Sequence, residues 1–295
     1  MNKVFTKKFV NKFKKILIKL YGYEEYMDFL IVPSIMGKKT IHYLPLLNYT
    51  DRINIDDLLE LAKNTHYQIR ILNFKYEAFK ENDPVVMRIN IENKTTEEVF
   101  ENVKSRCRNK IRNSIKRNNF ILKKGNDDKF IDDFYYIFSK SMLKHGTPVF
   151  DKKLFILLRD EFKENNYYYI VYNNNKPIAA MCMLFDKDIV WYPWGGIDDD
   201  YSKDLVGYFI YWKVIEDIVN MDKYKIIDLG RSGYKMGTYY FKSQFGAYPV
   251  KIDILKDKVE DIYSKYDLAV KVWQKLPLNI ANFIGPRLCK YLEDL

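Results

Sequence analysis

The sequence predicts a mixed α/β (α+β) fold with a largely antiparallel sheet, and three observations support the prediction. Apolar residues make up 47% of the 295 residues, which is enough for a sizeable core. Three runs of strand length follow one another over 167–194 and are separated by short polar turns of the hairpin type. Helical patterns precede these runs and then alternate with further strand patterns: helices at 128–144, 151–163, 205–220 and 237–245, strands at 225–229 and 250–255.

Composition excludes several classes of protein. Apolar residues never run for the eighteen positions that a spanning helix needs, and no secretory signal pattern is present. The three cysteines and three histidines are widely spaced, which argues against a disulfide framework and against a metal site. We therefore expect a cytoplasmic protein without a bound metal, while the oligomeric state is left open.

Positive charge is concentrated in two segments. Residues 1–23 contain seven lysines and no acid, and residues 102–126 contain nine basic residues and no acid. Because the whole chain carries a formal charge of +10, the remainder is mildly acidic. Such segregation points to a polyanion or a membrane surface as partner.

The first basic segment, residues 1–20, has apolar residues at helical spacing with lysines between them. One interpretation is a helix that lies on an anionic membrane, which would place the protein peripherally at the inner face of the membrane. The other interpretation is an ordinary helix packed on the body of the protein. The pattern leaves both open.

The second basic segment belongs to a long helix predicted over 95–118. Thr95 and Glu98 form a capping box at its start. An apolar stripe then recurs every four residues from Val99 to Ile115, and basic residues run beside it at the same spacing. Like charges four residues apart repel, so we expect this face to bind phosphate groups, the alternative being a solvated basic face. The expected contacts come from Arg108, Arg112 and Lys116.

The segment 228–246 combines charged, aromatic and glycine residues in one motif. A predicted strand ends in Asp-Leu-Gly-Arg-Ser, and the following helix reads Gly-Thr-Tyr-Tyr-Phe-Lys-Ser-Gln-Phe-Gly. Upstream, residues 192–196 end another strand in Tyr-Pro-Trp-Gly-Gly. Charged groups at a strand end are a frequent basis for a site. The P-loop, dinucleotide-binding, nucleophile-elbow and HExxH signatures are absent.

These motifs resemble those of the FemAB-type transferases, a branch of the GNAT (acyl-CoA N-acyltransferase) superfamily. The helix is similar to their G-x-Y-x-F-K-x-x-F-G signature, and the resemblance extends over 99–286, where the tail resembles exopolysaccharide-associated FemAB-like proteins. It implies two tandem GNAT-like halves with mixed, largely antiparallel sheets. The predicted division is an N-terminal basic helix, a shortened first half that includes the helix 95–118, a second half, and a helical tail: 1–22, 23–125, 126–256 and 257–295.

The resemblance also implies an N-acyltransferase that transfers an aminoacyl or acyl group to an amine of a cell-envelope precursor, either a peptidoglycan peptide or a lipid-linked sugar. The donor would be aminoacyl-tRNA or acyl-CoA as co-substrate, with no bound cofactor. Two alternatives stay open. One is a GNAT-like N-acetyltransferase that uses a thioester, although the (Q/R)xxGx(G/A) loop that holds its pyrophosphate is missing. The other is a non-catalytic polyanion-binding module.

Roles can be assigned to single residues on this basis. The resemblance places Lys242 near the reacting groups, where it would stabilise an oxyanion or a donor phosphate; the alternative is a surface lysine. Arg231 is expected to bind a carboxylate or phosphate, or else to pair with Asp228. Asp228 is expected to accept a proton, or else to cap the next turn. Substrate contacts, with core packing or strand termination as alternatives, are assigned to Tyr239, Phe241, Gly195 and Gly196.

Overall fold

The computed structural model describes residues 5–26, 29–33, 39–42, 55–65, 68–72, 78–117, 119–255 and 267–291. The chain divides into two compact units. Unit 1 comprises Met1–Ala78, Met142–Leu157 and Lys251–Leu295, and unit 2 comprises Phe79–Ser141 and Leu158–Val250. The division into halves drawn from the sequence stays a prediction.

The described elements confirm a mixed α/β fold. The helices are α1 (Lys7–Tyr21), α2 (Ile55–Thr65), α3 (Thr96–Glu101), α4 (Ser105–Arg117), α5 (Asp128–Lys144), α6 (Lys152–Phe162), α7 (Val206–Asn220), α8 (Gly237–Ser243), α9 (Asp267–Trp273) and α10 (Leu278–Cys289). The strands are β1 (Glu24–Tyr26), β2 (Phe29–Pro33), β3 (Lys39–His42), β4 (Gln68–Leu72), β5 (Pro84–Asn90), β6 (Ile121–Gly125), β7 (Asn166–Asn173), β8 (Lys176–Asp186), β9 (Ile189–Ile197), β10 (Ile226–Gly233) and β11 (Tyr248–Leu255).

The sheet of unit 1 has the strand order β1-β2-β3-β4-β11. Strands β3 and β4 are parallel, whereas β1 and β2, β2 and β3, and β4 and β11 pair antiparallel. Residues 257–266 and 292–295 of the predicted tail lie outside the described residues, and α9 and α10 show that the described part is mostly helical.

Helix α1 confirms the helix predicted near the N-terminus. The Thr6 hydroxyl accepts from the Phe9 amide at its start, and Gly22 ends the helix with φ +69°. The apolar face is buried within unit 1, as the packed interpretation expects, so it is not available for insertion into lipid. Membrane contact by this segment stays a prediction that rests on its exposed lysines: Lys7, Lys8, Lys15 and Lys19.

The sheet of unit 2 has the order β5-β10-β9-β8-β7-β6. Strand β10 is antiparallel to β5 and parallel to β9, and β9, β8, β7 and β6 form an antiparallel meander. The meander through β9 was predicted, whereas β6 was not. Its residues, Ile-Leu-Lys-Lys-Gly, are largely exposed, and lysines are typical of edge strands that must not attract another chain.

The basic helix predicted over 95–118 is two helices, α3 and α4, so the prediction of one continuous helix is wrong. The capping box of Thr95 and Glu98 is confirmed in both directions. The chain breaks at residues 102–104, where the Lys104 amide donates to the Gln244 carbonyl at 2.9 Å and not to its own helix. The predicted stripe is buried except at its end, where Ile115 is exposed, and α4 packs on α7 within unit 2.

None of the helices in the described ranges is both long and apolar enough to span a lipid bilayer.

Candidate active site

A bulge in β10 shapes the backbone of the candidate site. The pairing of β10 with β5 shifts register between Asp228 and Arg231. Gly230, inside the shift, has φ +73°, a left-handed conformation that favours glycine. A Cβ atom at this position would also lie 2.7 Å from the carbonyl oxygen of Tyr192. The glycine is therefore required both by its backbone conformation and by the close approach of β9.

Lys242 of α8 binds this bulge. Its Nζ donates to the carbonyl oxygens of Gly230 at 3.3 Å and Arg231 at 2.7 Å, and the residue is only 7% exposed. Burial lowers the pKa of Lys242 to about 8; Asp228 opposes the change and Arg231 adds to it. An ammonium has three donors, and the third N–H has no partner within the described part of the chain. Lys242 is thus a buried cation, not a surface lysine, and one of its N–H groups has no partner among the described residues.

Asp228 is held by two groups in the fold. Arg88 Nε donates to Oδ2 at 2.9 Å, and both side chains are 2% exposed. The amide of Gly230 donates to Oδ1 at 2.9 Å. The partner of Asp228 is therefore Arg88 and not Arg231, and Asp228 caps the turn that contains Gly230. This geometry favours the capping role over proton transfer, which stays a prediction.

Arg88 and Tyr248 are members of the site that the sequence analysis missed. Arg88 Nη2 is buried and has no hydrogen-bond partner among the described residues. Burial raises the pKa of Tyr248, while Arg88 lowers it and Asp228 raises it further, so both charges act on the phenol. Arg88 is the only charged residue of β5, and its position in an otherwise apolar run could have marked it as a candidate. Nothing in the sequence distinguished Tyr248 from the other 24 tyrosines.

Two aromatic candidates of α8 have different surroundings. Phe241 packs within unit 2, its ring centroid 4.9 Å from that of Tyr211 and 5.3 Å from that of Tyr208. Tyr239 is half-buried, with its ring 5.0 Å from Tyr234, and burial raises its pKa. Phe241 therefore joins α8 to α7, which is the packing alternative considered for it, whereas Tyr239 retains an accessible edge.

Gly195 and Gly196 lie inside β9 and allow close packing. A Cβ atom at Gly195 would lie 2.5 Å from the Ala180 carbonyl oxygen. One at Gly196 would lie 2.8 Å from the carbonyl oxygen of Ile137 in α5. These contacts leave no room for a side chain, so both glycines have a structural reason to be present that is independent of any substrate.

Gly196→Ala is expected to lower the free energy of unfolding by about 1–3 kcal/mol, the usual cost of overpacking, because its Cβ atom would meet backbone. Gly237→Ala is the matched control, since a Cβ atom there meets nothing within 4 Å. Urea denaturation of both variants measures the difference. Equal stability of the two would contradict the packing role.

Helix α4 carries positive charge that no carboxylate of the described residues neutralises. Lys110 Nζ donates to the Tyr208 hydroxyl at 2.9 Å, and Arg108 Nη1 donates to the Glu101 carbonyl oxygen at 2.6 Å. The Arg112 guanidinium lies 5.2 Å from the Phe100 ring. Within the described residues, these three and the exposed Lys104, Arg106 and Lys116 form no ion pair with a carboxylate.

This basic face is connected to the helix that bears Lys242. The Lys104 amide, in the break before α4, donates to the carbonyl oxygen of Gln244, which lies two residues after Lys242. Lys110 also contacts Tyr208, whose ring packs on Phe241. An anion bound along the start of α4 would therefore lie beside α8.

The other helix start in this region, that of α7, is acidic. Burial alone would raise the pKa of Asp198, but Lys140 at 2.8 Å and Lys176 at 3.7 Å hold it below its usual range. Asp199, Asp200 and Asp204 follow and are exposed. A helix start normally attracts anions, and these carboxylates oppose that attraction. The positive charge of unit 2 in this region therefore lies along α4 and not at the start of α7.

Comparisons with known proteins agree with the fold. Residues 102–243 match the family described as acetyltransferase (GNAT) domain. The fold is similar to that of FemX, with 14% identity, a TM-score of 0.60, and coverage of 90% of this chain and 94% of that chain. It is also similar to the C-terminal domain of a putative lysylphosphatidylglycerol synthetase from Agrobacterium fabrum, with 11% identity, a TM-score of 0.54, and coverage of 89% and 94%.

A third similar structure is L-PGS from Bacillus licheniformis, with 10% identity, a TM-score of 0.51, and coverage of 94% of this chain and 100% of that chain. No curated protein matches the sequence. At these identities the structures show the fold, and the family match adds the type of domain. The chain has a GNAT-type fold similar to that of FemX, and its residues 102–243 match the acetyltransferase (GNAT) domain family.

Proposed function

We propose that this acyltransferase moves an aminoacyl group from aminoacyl-tRNA to an amine of a cell-envelope precursor, a peptidoglycan peptide or a lipid-linked sugar. One observation carries the proposal. The buried ammonium of Lys242, with one N–H available, lies on a helix joined to a basic face that no carboxylate neutralises within the described residues. A cation at the reaction centre and a phosphate-binding face beside it suit a polyanionic acyl donor.

The reaction needs an oriented carbonyl and stabilisation of negative charge. The neutral amine attacks the acyl carbon, a C–N bond forms, and the carbonyl oxygen becomes an oxyanion. Collapse breaks the ester C–O bond, and the proton lost by the amine ends on the released hydroxyl. The available N–H of Lys242 would donate to the oxyanion or to a nearby donor phosphate.

The charges on unit 2 support a tRNA donor over a thioester donor. The start of α4 offers cations without carboxylate partners among the described residues, whereas the start of α7 offers exposed aspartates. The exposed Asp200 therefore disfavours a pyrophosphate at the start of α7. N-acetyl transfer from acetyl-CoA is the second candidate, because the matched family is described as an acetyltransferase domain.

The experiment that tests the proposal supplies donors and acceptors in parallel. Charged tRNA pools and acetyl-CoA are each incubated with the protein and with nucleotide-linked or lipid-linked peptidoglycan precursors. Phosphatidylglycerol is added as an acceptor, since one similar structure is named for lysylphosphatidylglycerol. The mass gained by an acceptor identifies the donor. No mass gain with any donor would reject transfer, and tRNA binding without transfer would favour a polyanion-binding module.

Charge reversal on α4 is expected to weaken tRNA binding at least about tenfold. The variant Arg106→Glu/Lys116→Glu changes two exposed side chains of the basic face, and each lost phosphate contact lowers the slope of log K against log salt by about one. Filter binding at several salt concentrations measures both quantities. The variant Lys187→Glu/Lys203→Glu makes the same change of charge at exposed sites outside α4, and an equal loss there would contradict a localised binding face.

A further inference from the structure

Helices α9 and α10 of unit 1 expose a set of large apolar side chains. Leu268 is 75% exposed, Phe283 67% and Val272 57%, the three highest values among such side chains in the described residues. Ile280 of α10 is 41% exposed. These four residues are called the C-terminal apolar surface below. Two such pairs on consecutive helices exceed the single scattered apolar side chains that are normal for a protein surface.

The opposite faces of the same helices hold them in unit 1. In α10, Ala281, Gly285 and Cys289 recur every four residues and are buried. A Cβ atom at Gly285 would lie 2.9 Å from the backbone nitrogen of Val149, so the helix sits directly on that segment. Gln274 directly follows the last residue of α9. Its Nε2 donates to the Lys144 carbonyl oxygen at 2.7 Å.

Helical geometry therefore directs the apolar surface outward. At 3.6 residues per turn, Ile280 and Phe283 lie on the side of α10 opposite to Ala281 and Gly285. Leu268 and Val272 are one turn apart in α9, on a different side from Gln274. The contacts that hold both helices in unit 1 are therefore made by other residues, which leaves these four side chains exposed.

Basic residues outnumber acidic ones in the described segment that carries the apolar surface. Residues 267–291 contain Lys271, Lys275, Arg287 and Lys290 but only one acid, Asp267. The Arg287 guanidinium lies 4.2 Å from the Phe283 ring, so charge and apolar group are in contact. A second copy docked through a two-fold axis would bring the same cations together, which disfavours self-association.

We propose that the C-terminal apolar surface binds an anionic membrane. The four apolar side chains would enter the boundary between headgroups and acyl chains, while the cations of the same segment pair with lipid phosphates. This proposal lies in unit 1 and does not depend on the reaction proposed for unit 2. It also differs from the contact first considered for α1, whose apolar face is buried.

Flotation of the full-length protein with lipid vesicles tests the proposal. We expect binding to equimolar phosphatidylcholine and phosphatidylglycerol, and none to phosphatidylcholine alone.

Leu268→Ser/Phe283→Ser should lower the partition coefficient at least about tenfold, since each apolar side chain contributes more than one factor of ten when fully buried. Lys271→Glu/Arg287→Glu should lower binding and its salt dependence. The matched control is Ile121→Ser, an aliphatic side chain 56% exposed in unit 2, which should bind as the wild type does.

Three outcomes would overturn the proposal. The first is absence of wild-type binding to the anionic vesicles, with circular dichroism showing a folded protein. The second is unchanged binding of Leu268→Ser/Phe283→Ser, which would place lipid contact elsewhere, near β6 if Ile121→Ser binds less. The third is a wild-type dimer in sedimentation that the same double variant dissociates, which would make a second copy the partner.

Discussion

Replacing Lys242 with methionine is expected to lower kcat for acyl transfer by about 10²–10³-fold, the usual loss when one donor to a developing oxyanion is removed. The ammonium is buried and fixed by the carbonyl groups of Gly230 and Arg231, so its remaining N–H is oriented before substrate binds. Methionine has a similar length and no donor. KM should change much less than kcat if the interaction is made mainly in the transition state.

The pH dependence distinguishes Lys242 from a merely structural lysine. Because its pKa is lowered to about 8, the wild-type rate should fall as the pH rises above 8, where the cation is lost. Lys242→Met should lack this falling limb. Lys203→Met, at an exposed site, should retain both the rate and the limb. A methionine variant with wild-type kcat would contradict the role proposed for Lys242.

The free energy of unfolding should also depend on pH through the titration of Lys242. The ordinary lysine pKa is about 10.4, so between pH 8 and 10.4 the unfolded chain holds a proton that folded Lys242 has lost. The contribution of Lys242 to the free energy of unfolding therefore rises with pH across this window. Denaturation of wild type and Lys242→Met at several pH values should show a steeper rise for the wild type.

Asp228→Ala is expected to lower the free energy of unfolding by about 3–5 kcal/mol, because it leaves the buried Arg88 guanidinium without its counter-ion. The Gly230 amide would lose its acceptor as well. The double variant Arg88→Met/Asp228→Leu should recover much of the loss, since apolar pairs often replace buried ion pairs at little cost. Thermal and urea denaturation of the single and double variants measure this coupling.

Asp228→Asn separates the structural role from the proton-transfer role. It preserves an oxygen for the Gly230 amide and removes the negative charge, which opposes the lowering of the Lys242 pKa. The falling limb of the rate should therefore move to a pH below 8. A variant that folds with wild-type stability but has lost all activity would instead support Asp228 as the catalytic base.

Local patterns predicted most of unit 2, and the failures have a common physical cause. Helix α5 matches its predicted bounds because its apolar period is uninterrupted and Gly146 follows it. The break between α3 and α4 could not be predicted, because the Lys104 amide is taken by Gln244, 140 positions later. Long-range hydrogen bonds of this kind leave no mark on the local pattern.

The candidate site also contains residues that local motifs revealed and contacts that only the fold creates. Lys242 was found because it lies in a short motif, and Gly230 lies beside it in the strand motif. That the Lys242 ammonium is buried against backbone carbonyls depends on the bulge in β10 and could not be deduced from residue types. Arg88 reaches Asp228 from β5, 140 positions earlier, so the ion pair is a product of sheet topology.

The most direct test of the central claim compares wild type and Lys242→Met in the same transfer assay. Both are incubated with charged tRNA and the cell-envelope precursors, and the acceptors are weighed by mass spectrometry. We expect the wild type to add the mass of one aminoacyl residue and Lys242→Met to add it about 10²–10³ times more slowly. Equal rates for the two proteins, or no added mass with the wild type, would contradict it.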